Sequence, residues 1–189
     1  MISYLNELDK SLFLFLNGLN SPFWDWVMFV ISHKFTFIPL YAAVVYWFFK
    51  HYGKAGFLVL LMAVATIAVS DQVSSGIIKD LVGRLRPSHN PEFTQVIHLV
   101  FDKHGGLYGF VSSHAANSFA FAVFASLLIR KRWFTISILA WAAVVSYSRI
   151  YLGLHYPGDI LGGAIVGVLS GLAGYAVLQK LPCFKGCSV

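Results

Sequence analysis

Long apolar stretches separated by short polar breaks make up most of the chain. They run from Pro22 to Ile31, Phe35 to Phe49, Ala55 to Ile78, Ser113 to Ile129, Trp133 to Tyr147 and Asp159 to Leu178. A helix that crosses a bilayer needs about 20 apolar residues. The pattern therefore predicts an all-α, polytopic integral membrane helix bundle with five or six membrane helices, the sixth depending on the short stretch 22–31. Pro39 is a candidate helix kink.

Two further segments have a different character. Residues 1–20 combine acidic side chains with a short apolar run, Leu12 to Leu16. A signal peptide has a basic start and a longer apolar core, so we interpret 1–20 as a retained amphipathic helix on the membrane surface. Residues 79–111 are polar and contain turn-forming prolines and glycines, which predicts an outward loop. Without an internal repeat, residues 1–189 are expected to form one membrane-embedded domain.

Composition and charge narrow the functional classes. The chain is 58% hydrophobic and 12% charged, whereas a soluble domain has roughly 25% charged residues. The net charge of +6 is not accompanied by a basic run longer than Arg130–Arg132, so nucleic acid is not an expected partner. Cys183 and Cys187 have no second Cys/His pair at zinc-ligand spacing, so neither a disulfide framework nor a structural metal is expected.

The basic residues suggest an orientation. If the spans alternate, Lys50, Lys54, the triplet 130–132 and the tail residues Lys180 and Lys185 all fall on one side, which should be cytoplasmic. The opposite side carries further cations despite the positive-inside rule: Lys79, Arg84, Arg86, Lys103 and Arg149. Catalysis or anion binding would explain these outward cations.

Three outward clusters contain the side chains that could perform chemistry. They are Lys79 to Pro87, Val111 to His114 and Ser148 to Asp159. Three of their cations suit a tetrahedral dianion such as phosphate, namely Lys79, Arg86 and Arg149. Ser112 and Ser113 begin a helix whose free N–H groups would bind the same anion. One histidine, His114 or His155, could attack phosphorus while the other donates a proton, and Asp159 could orient the attacking ring.

Structural explanations compete with each of these interpretations. The serines could be only helix N-caps, Asp159 could favour a helix dipole, and single basic residues at span ends are often interfacial anchors. A lone His114 would more often be a packing residue. The joint occurrence on one predicted face favours a site. The loop histidines His89, His98 and His104 have irregular spacing, so head-group selection is a better interpretation of this loop than metal binding.

The spacing Lys-x6-Arg-Pro, then Ser-x-His, then Ser-Arg-x5-His-x3-Asp resembles the signature of the type 2 phosphatidic acid phosphatase superfamily. That superfamily also includes vanadium haloperoxidases and bacterial acid phosphatases. The resemblance runs from Lys79 to Asp159, and the membrane layout looks like the lipid-phosphatase branch. This chain has Val111 and Ser113 where the family usually has Pro and Gly, which affects the local turn and the substrate preference.

The resemblance implies a metal-independent, cofactor-free lipid phosphatase of a bacterial cytoplasmic (inner) membrane. It implies that His155 forms a phosphohistidine, Asp159 orients it and His114 protonates the leaving group. The phosphate-binding residues would be Lys79, Arg86, Ser112, Ser113 and Arg149. The implied partners are the bilayer and a lipid phosphate: undecaprenyl pyrophosphate, phosphatidylglycerol phosphate, phosphatidic acid or lipid A. The alternatives are a vanadate-dependent haloperoxidase and a non-catalytic anion or lipid transporter. The oligomeric state is left open.

Overall fold

A computed structural model describes residues 2–93 and 95–185, and this part of the chain is helical without β-strands. The helices are α1 Ile2–Gly18, α2 Pro22–Ser32, α3 Ile38–Tyr52, α4 Gly56–Asp71, α5 Lys79–Val82, α6 Ser113–Ile129, α7 Arg132–Tyr151, α8 Pro157–Lys180 and α9 Pro182–Lys185. A π-helical turn, Gln72–Ile78, joins α4 to α5. The predicted all-α class is confirmed.

Three helical segments in the described residues are long and apolar enough to cross a membrane: Ile38–Val82, Arg132–Tyr151 and Pro157–Lys180. The first contains α3, α4 and α5, and the chain reverses between α3 and α4 at Gly53, whose φ of 52° is readily adopted by glycine. The α6 helix is apolar but shorter. The number of five or six spans stays a prediction.

Two helix boundaries differ from the sequence-based expectation. Pro39 does not kink α3, because it lies in the first turn, where its missing N–H costs no helical bond. The predicted apolar stretch ends at Tyr147, whereas α7 continues to Tyr151. The hydroxyls of Ser146 and Ser148 bond carbonyls of their own helix, at 2.7 and 2.6 Å. These residues are therefore accommodated inside the helix despite their polarity.

The close packing of α6 against α8 fixes the relative positions of the predicted site residues at the start of these two helices. Gly163, Gly167 and Gly171 follow one face of α8, and a Cβ atom at each would lie 2.4, 2.3 and 2.8 Å from a backbone oxygen of α6. Only glycine allows this approach of two backbones. At the start of both helices, the Ser112 N–H donates to the Asp159 carbonyl at 2.9 Å. The first turns of α6 and α8 are thus held together.

The predicted cytoplasmic turns meet at the opposite end of the bundle. The Tyr52 hydroxyl, at the end of α3, donates to the Leu128 carbonyl in α6 at 3.5 Å. Arg130 donates to the Tyr175 hydroxyl of α8 at 2.6 Å. The basic segments 50–54 and 130–132 therefore lie near the end of α8. Residues 186–189, with Cys187, and the side chains of Cys183 and Lys185 fall outside the described part.

Helices α1 and α2 pack around the site end of α7. Phe13 and Asn17 of α1 are 0% and 1% exposed, and the Asn17 amide donates to the Tyr151 carbonyl at 2.8 Å. Near the start of α2, Asp25 accepts from the Tyr151 hydroxyl at 2.7 Å. At its end, Ser32 accepts from Arg149. Both ends of α2 therefore contact the same end of α7.

Candidate active site

A cavity of about 700 Å³ opens between the helices at this end of the bundle. Six of the eight predicted site residues line it: Lys79, Arg86, Ser113, His114, Arg149 and His155. The other two, Ser112 and Asp159, are fully buried behind its wall. The three sequence clusters therefore converge on one space.

Lys79 and Ser113 form one side of the polar end. The Lys79 ammonium donates to Ser113 Oγ at 2.8 Å, and Ser75 Oγ lies 2.6 Å from the same hydroxyl. The π-helical turn before Lys79 carries Ser75 into this contact. The sequence analysis gave Ser75 no role.

The two arginines are buried and held from outside the cavity. Arg86 Nε donates to the Tyr108 carbonyl at 3.0 Å, across the one isolated β-bridge of the described loop, between Leu85 and Tyr108. Arg149 donates to Ser32, but its buried Nε has no hydrogen-bond partner among the described residues. An unpaired guanidinium N–H beside a polar cavity is available for an anion.

The start of α6 points backbone N–H groups at the same region. Ser112 is the N-cap, and its hydroxyl accepts from the Ala115 N–H at 3.4 Å. The capping interpretation of Ser112 is therefore correct as far as its side chain is concerned. Capping and anion binding are compatible, because the first turn leaves several N–H groups without helical partners.

His155 lies in the turn between α7 and α8, next to its predicted orienting carboxylate. Its Nδ1 is 3.3 Å from Asp159 Oδ2, and the Tyr156 N–H donates to the same oxygen at 3.0 Å. Burial and the nearby charges of Arg86 and Arg149 lower the pKa of His155 well below its usual range. The ring is therefore neutral at pH 7 and retains a basic nitrogen.

His114 occupies the first turn of α6 and faces the cavity. Within residues 2–93 and 95–185, no hydrogen bond holds either of its ring nitrogens, in contrast to His155. The two histidines therefore differ in environment: one is fixed by a carboxylate and the other is free to meet a ligand.

A second layer of charges connects α1 to the site, and sequence reasoning missed it. Arg84 donates to Asp159 Oδ1 at 3.0 Å and to Asp9 Oδ2 at 2.8 Å, while its guanidinium lies 4.0 Å from the centre of the Tyr156 ring. Asp9 Oδ1 also accepts from the Gly158 N–H at 2.7 Å. The predicted outward position of Arg84 indicated a functional role for this residue, but no sequence feature indicated a role for Asp9.

The loop histidines lie away from the cavity wall. His98 is 2.9 Å from the Asp25 carboxylate. The His89 and His104 rings are 5.8 Å apart, and His104 also contacts Asp102 at 3.1 Å. No group of three His, Cys, Asp or Glu side chains that could hold a metal ion occurs in the described residues. Head-group selection by this loop stays a prediction.

Comparison with known proteins bears directly on this constellation. The family model of the PAP2 superfamily matches residues 54–183, which include every predicted site residue. The chain belongs to the PAP2 superfamily.

Two curated PAP2-related proteins and one solved structure align over most of the chain. A lipid A 4'-phosphatase of Bacteroides thetaiotaomicron is 45% identical over 96% of this chain and 81% of its own. A putative undecaprenyl-diphosphatase of Escherichia coli is 32% identical over 94% and 86%. The PAP2-type phosphatidylglycerolphosphate phosphatase of Bacillus subtilis has a TM-score of 0.66 at 22% identity, covering 94% of this chain and 88% of that one. Its fold is shared.

This PAP2 chain carries a hydroxyl where the family motif usually has glycine. The Ser113 side chain does not block the site, since its Oγ is bonded to Lys79 and Ser75 along the wall. Its backbone N–H belongs to the first turn of α6. The substitution therefore adds a polar group to the wall and leaves the N–H groups of the helix start in position.

Proposed function

We propose that this PAP2 protein hydrolyses a phosphate ester or anhydride on a membrane lipid, and that residues 1–189 form one phosphatase domain for this task. The observation that carries the proposal is the shape of the cavity. One end holds Lys79, Arg86 and Arg149 with two histidines, while most of the remaining wall is apolar and formed by helices α3, α4, α6 and α7. A phosphate attached to a lipid has this same division into a charged and an apolar part.

The phosphate would be bound by charge and by directed N–H groups. Lys79, Arg86 and Arg149 offset the charge of a dianion, and the Arg149 Nε–H has no acceptor among the described residues. The Ser113 N–H at the start of α6 adds a donor at the positive end of the helix dipole, while the Ser112 N–H bonds the Asp159 carbonyl and holds this turn in place. These groups would also stabilise the charge that develops on the phosphoryl oxygens during transfer.

The first chemical step is an attack by His155. Its Nε2 forms a bond to phosphorus while the bond from phosphorus to the leaving oxygen breaks, and His114 gives that oxygen a proton. Asp159 accepts from Nδ1–H and stabilises the positive charge that the ring acquires. The products are the dephosphorylated lipid and a phosphohistidine at His155.

The second step returns the enzyme to its starting state. His114, now neutral, takes a proton from a water molecule whose oxygen attacks phosphorus, and the bond to His155 Nε2 breaks. Inorganic phosphate leaves. Both steps use side chains on the cavity wall and the buried Asp159, and neither requires a cofactor.

The substrate candidates are lipid A, undecaprenyl pyrophosphate, phosphatidylglycerol phosphate and phosphatidic acid. We favour a lipid A-type phosphate, because the relative with 45% identity carries the name lipid A 4'-phosphatase. The apolar part of the cavity is lined by side chains of α3, α4, α6 and α7, among them Tyr41, Phe48, Ile67 and Trp141. Such a wall suits the hydrocarbon next to a lipid head group.

We further propose a multi-pass protein of the bacterial inner membrane, with the site on the periplasmic face. The basic turns lie at the far end of the bundle from the cavity, as a cytoplasmic end requires. Five crossings fit better than six, because both ends of α2 contact the site end of α7 at Tyr151 and Arg149. An 11-residue helix is also only about 16 Å long.

The proposal is tested by measuring phosphate release by the purified protein in detergent from a panel of lipid phosphates. Release from lipid A, absent in His155→Ala, is the expected result. Tight binding of the lipids without release would favour a transporter. Release that is unaffected in His155→Ala would contradict the assigned chemistry.

A further inference from the structure

A polar pair interrupts the apolar part of the cavity one helical turn below the phosphate-binding end. Asn117 of α6 and Asp71 at the end of α4 both line the cavity, and the Asn117 amide donates to Asp71 Oδ1 at 2.8 Å. Asn117 follows Ser113 by four residues and His114 by three, so it shares their helix face about 5 Å deeper. Neither residue belongs to the motif or to the mechanism above.

The pair offers hydrogen-bond acceptors that no described residue uses. Asn117 Nδ2 is committed to the carboxylate, and Asn117 Oδ1 is buried without a hydrogen-bond partner in the described part of the chain. The Asp71 carboxylate has further lone pairs beyond the one that Asn117 occupies. Unsatisfied buried acceptors cost free energy, so a ligand that supplies donors at this depth would bind better than one that does not.

Charge balance alone does not explain the pair. Asp71 is hydrogen-bonded to Asn117 and not to Lys79, whose ammonium donates to Ser113. A carboxylate serving only as a counter-ion would not leave the neighbouring Asn117 oxygen without a donor. The Asn117 oxygen and the Asp71 carboxylate are therefore both available to a ligand that brings hydrogen-bond donors.

We propose that Asp71 and Asn117 form a head-group subsite that accepts hydrogen bonds from hydroxyl or amide N–H groups next to the scissile phosphate. This inference rests on the proposed lipid phosphatase function and deepens it. A phosphorylated, N-acylated sugar lipid carries such donors beside its phosphate. A polyprenyl pyrophosphate and a diacyl phosphatidic acid carry none. The subsite would therefore favour glycolipid phosphates over donor-free lipids.

The experiment compares two monoester substrates in the same detergent, lipid A and dioleoyl phosphatidic acid, by their kcat/KM. Asn117→Leu removes the unpaired acceptor, and Asp71→Asn keeps the size of the side chain but removes its charge. A hydrogen bond to a charged group is worth a factor of about 10 to 100 in binding. We expect kcat/KM for lipid A to fall about 10- to 100-fold in Asp71→Asn and, because the Asn117 acceptor is neutral, about 2- to 10-fold in Asn117→Leu. That for phosphatidic acid should change less than about 2-fold.

Ser70→Ala is the matched control. Ser70 is fully buried next to Asp71, and its hydroxyl also lacks a partner among the described residues. It does not line the cavity. This variant removes a buried polar group from the same helix and should leave the ratio of the two kcat/KM values unchanged.

The outcomes separate this inference from the proposed function. A selective loss of lipid A turnover supports the subsite. An equal loss on both substrates, or no loss in either variant, overturns the subsite and leaves the phosphatase proposal standing. If the wild-type protein releases phosphate from neither lipid, the proposed function fails and the subsite fails with it.

Discussion

Replacing Arg84 by leucine tests whether the charge network behind His155 contributes to catalysis. Arg84 does not line the cavity, but it donates to the buried Asp159 at 3.0 Å and to Asp9 at 2.8 Å. Asp159 is 0% exposed, so removal of Arg84 leaves its carboxylate with the Tyr156 N–H and His155 as its remaining hydrogen-bond partners among residues 2–93 and 95–185. A carboxylate that loses a partner holds the imidazole less firmly.

The size of the effect follows from the bond that is lost. A hydrogen bond to a charged group contributes about 1.5–3 kcal/mol, and the 22% exposure of the Arg84 side chain favours the lower part of that range. Expressed in the transition state, the lower part of that range, about 1.5–2 kcal/mol, corresponds to a loss of about 10- to 30-fold in kcat. Because Arg84 does not touch the phosphate, KM and the inhibition constant of inorganic phosphate should change less than about 2-fold.

The assay is steady-state phosphate release in detergent, with size-exclusion chromatography to verify folding. Arg84→Lys should recover part of kcat, because an ammonium can pair with one of the two carboxylates but lacks the forked geometry of a guanidinium. Lys10→Ala is the control: Lys10 pairs with Glu7 at 3.1 Å and Glu92 at 2.6 Å, outside this network. Wild-type kcat in Arg84→Leu, or a weakened binding of inorganic phosphate, would refute the reasoning.

Three further predictions concern orientation, metal dependence and protonation. Val96 is 65% exposed, so in a cysteine-free background Val96→Cys should react with an impermeant maleimide in intact spheroplasts. Lys131→Cys should react only after permeabilisation, and the reverse pattern would mean the opposite topology. Activity should persist in excess chelator, because three cations offset the phosphate charge, and magnesium-dependent recovery would contradict this. In protein labelled on its histidine rings, the NMR signal that is lost in His155→Asn identifies His155. This ring should stay neutral as the pH falls through 6.5, because burial and Arg86 lower the pKa of His155. Protonation at or above pH 6.5 would be inconsistent with this prediction.

The predicted site residues converge in the structure because each motif is tied to a helix end. Ser112 and Ser113 begin α6, and Asp159 lies in the first turn of α8. Residues at helix ends on one side of a membrane are already restricted to one layer. Helix packing through the glycine face of α8 then brings them together. The motif spacing thus encoded most of the constellation.

Features that depend on tertiary packing were not predictable in this way. The contact between Asp9 and the Gly158 N–H joins residues 149 positions apart, and an amphipathic pattern does not reveal which turn α1 will meet. The Asp71–Asn117 bond likewise depends on the π-helical turn and the approach of α4 to α6. The continuation of α7 beyond Tyr147 was also missed, because the hydrogen bonds of Ser146 and Ser148 to their own helix cannot be seen in the sequence.

The central claim is that phosphoryl transfer passes through His155. Rapid acid-free quench of the enzyme with a ³²P-labelled lipid pyrophosphate measures it most directly, since a phosphate leaving group needs less help from an acid. We expect a labelled phosphoenzyme in the wild type and in His114→Ala, mapped by peptide analysis to His155, and no label in His155→Ala. Label on the His155→Ala protein would contradict the account. So would the absence of label at every quench time from a wild-type enzyme that is turning over substrate.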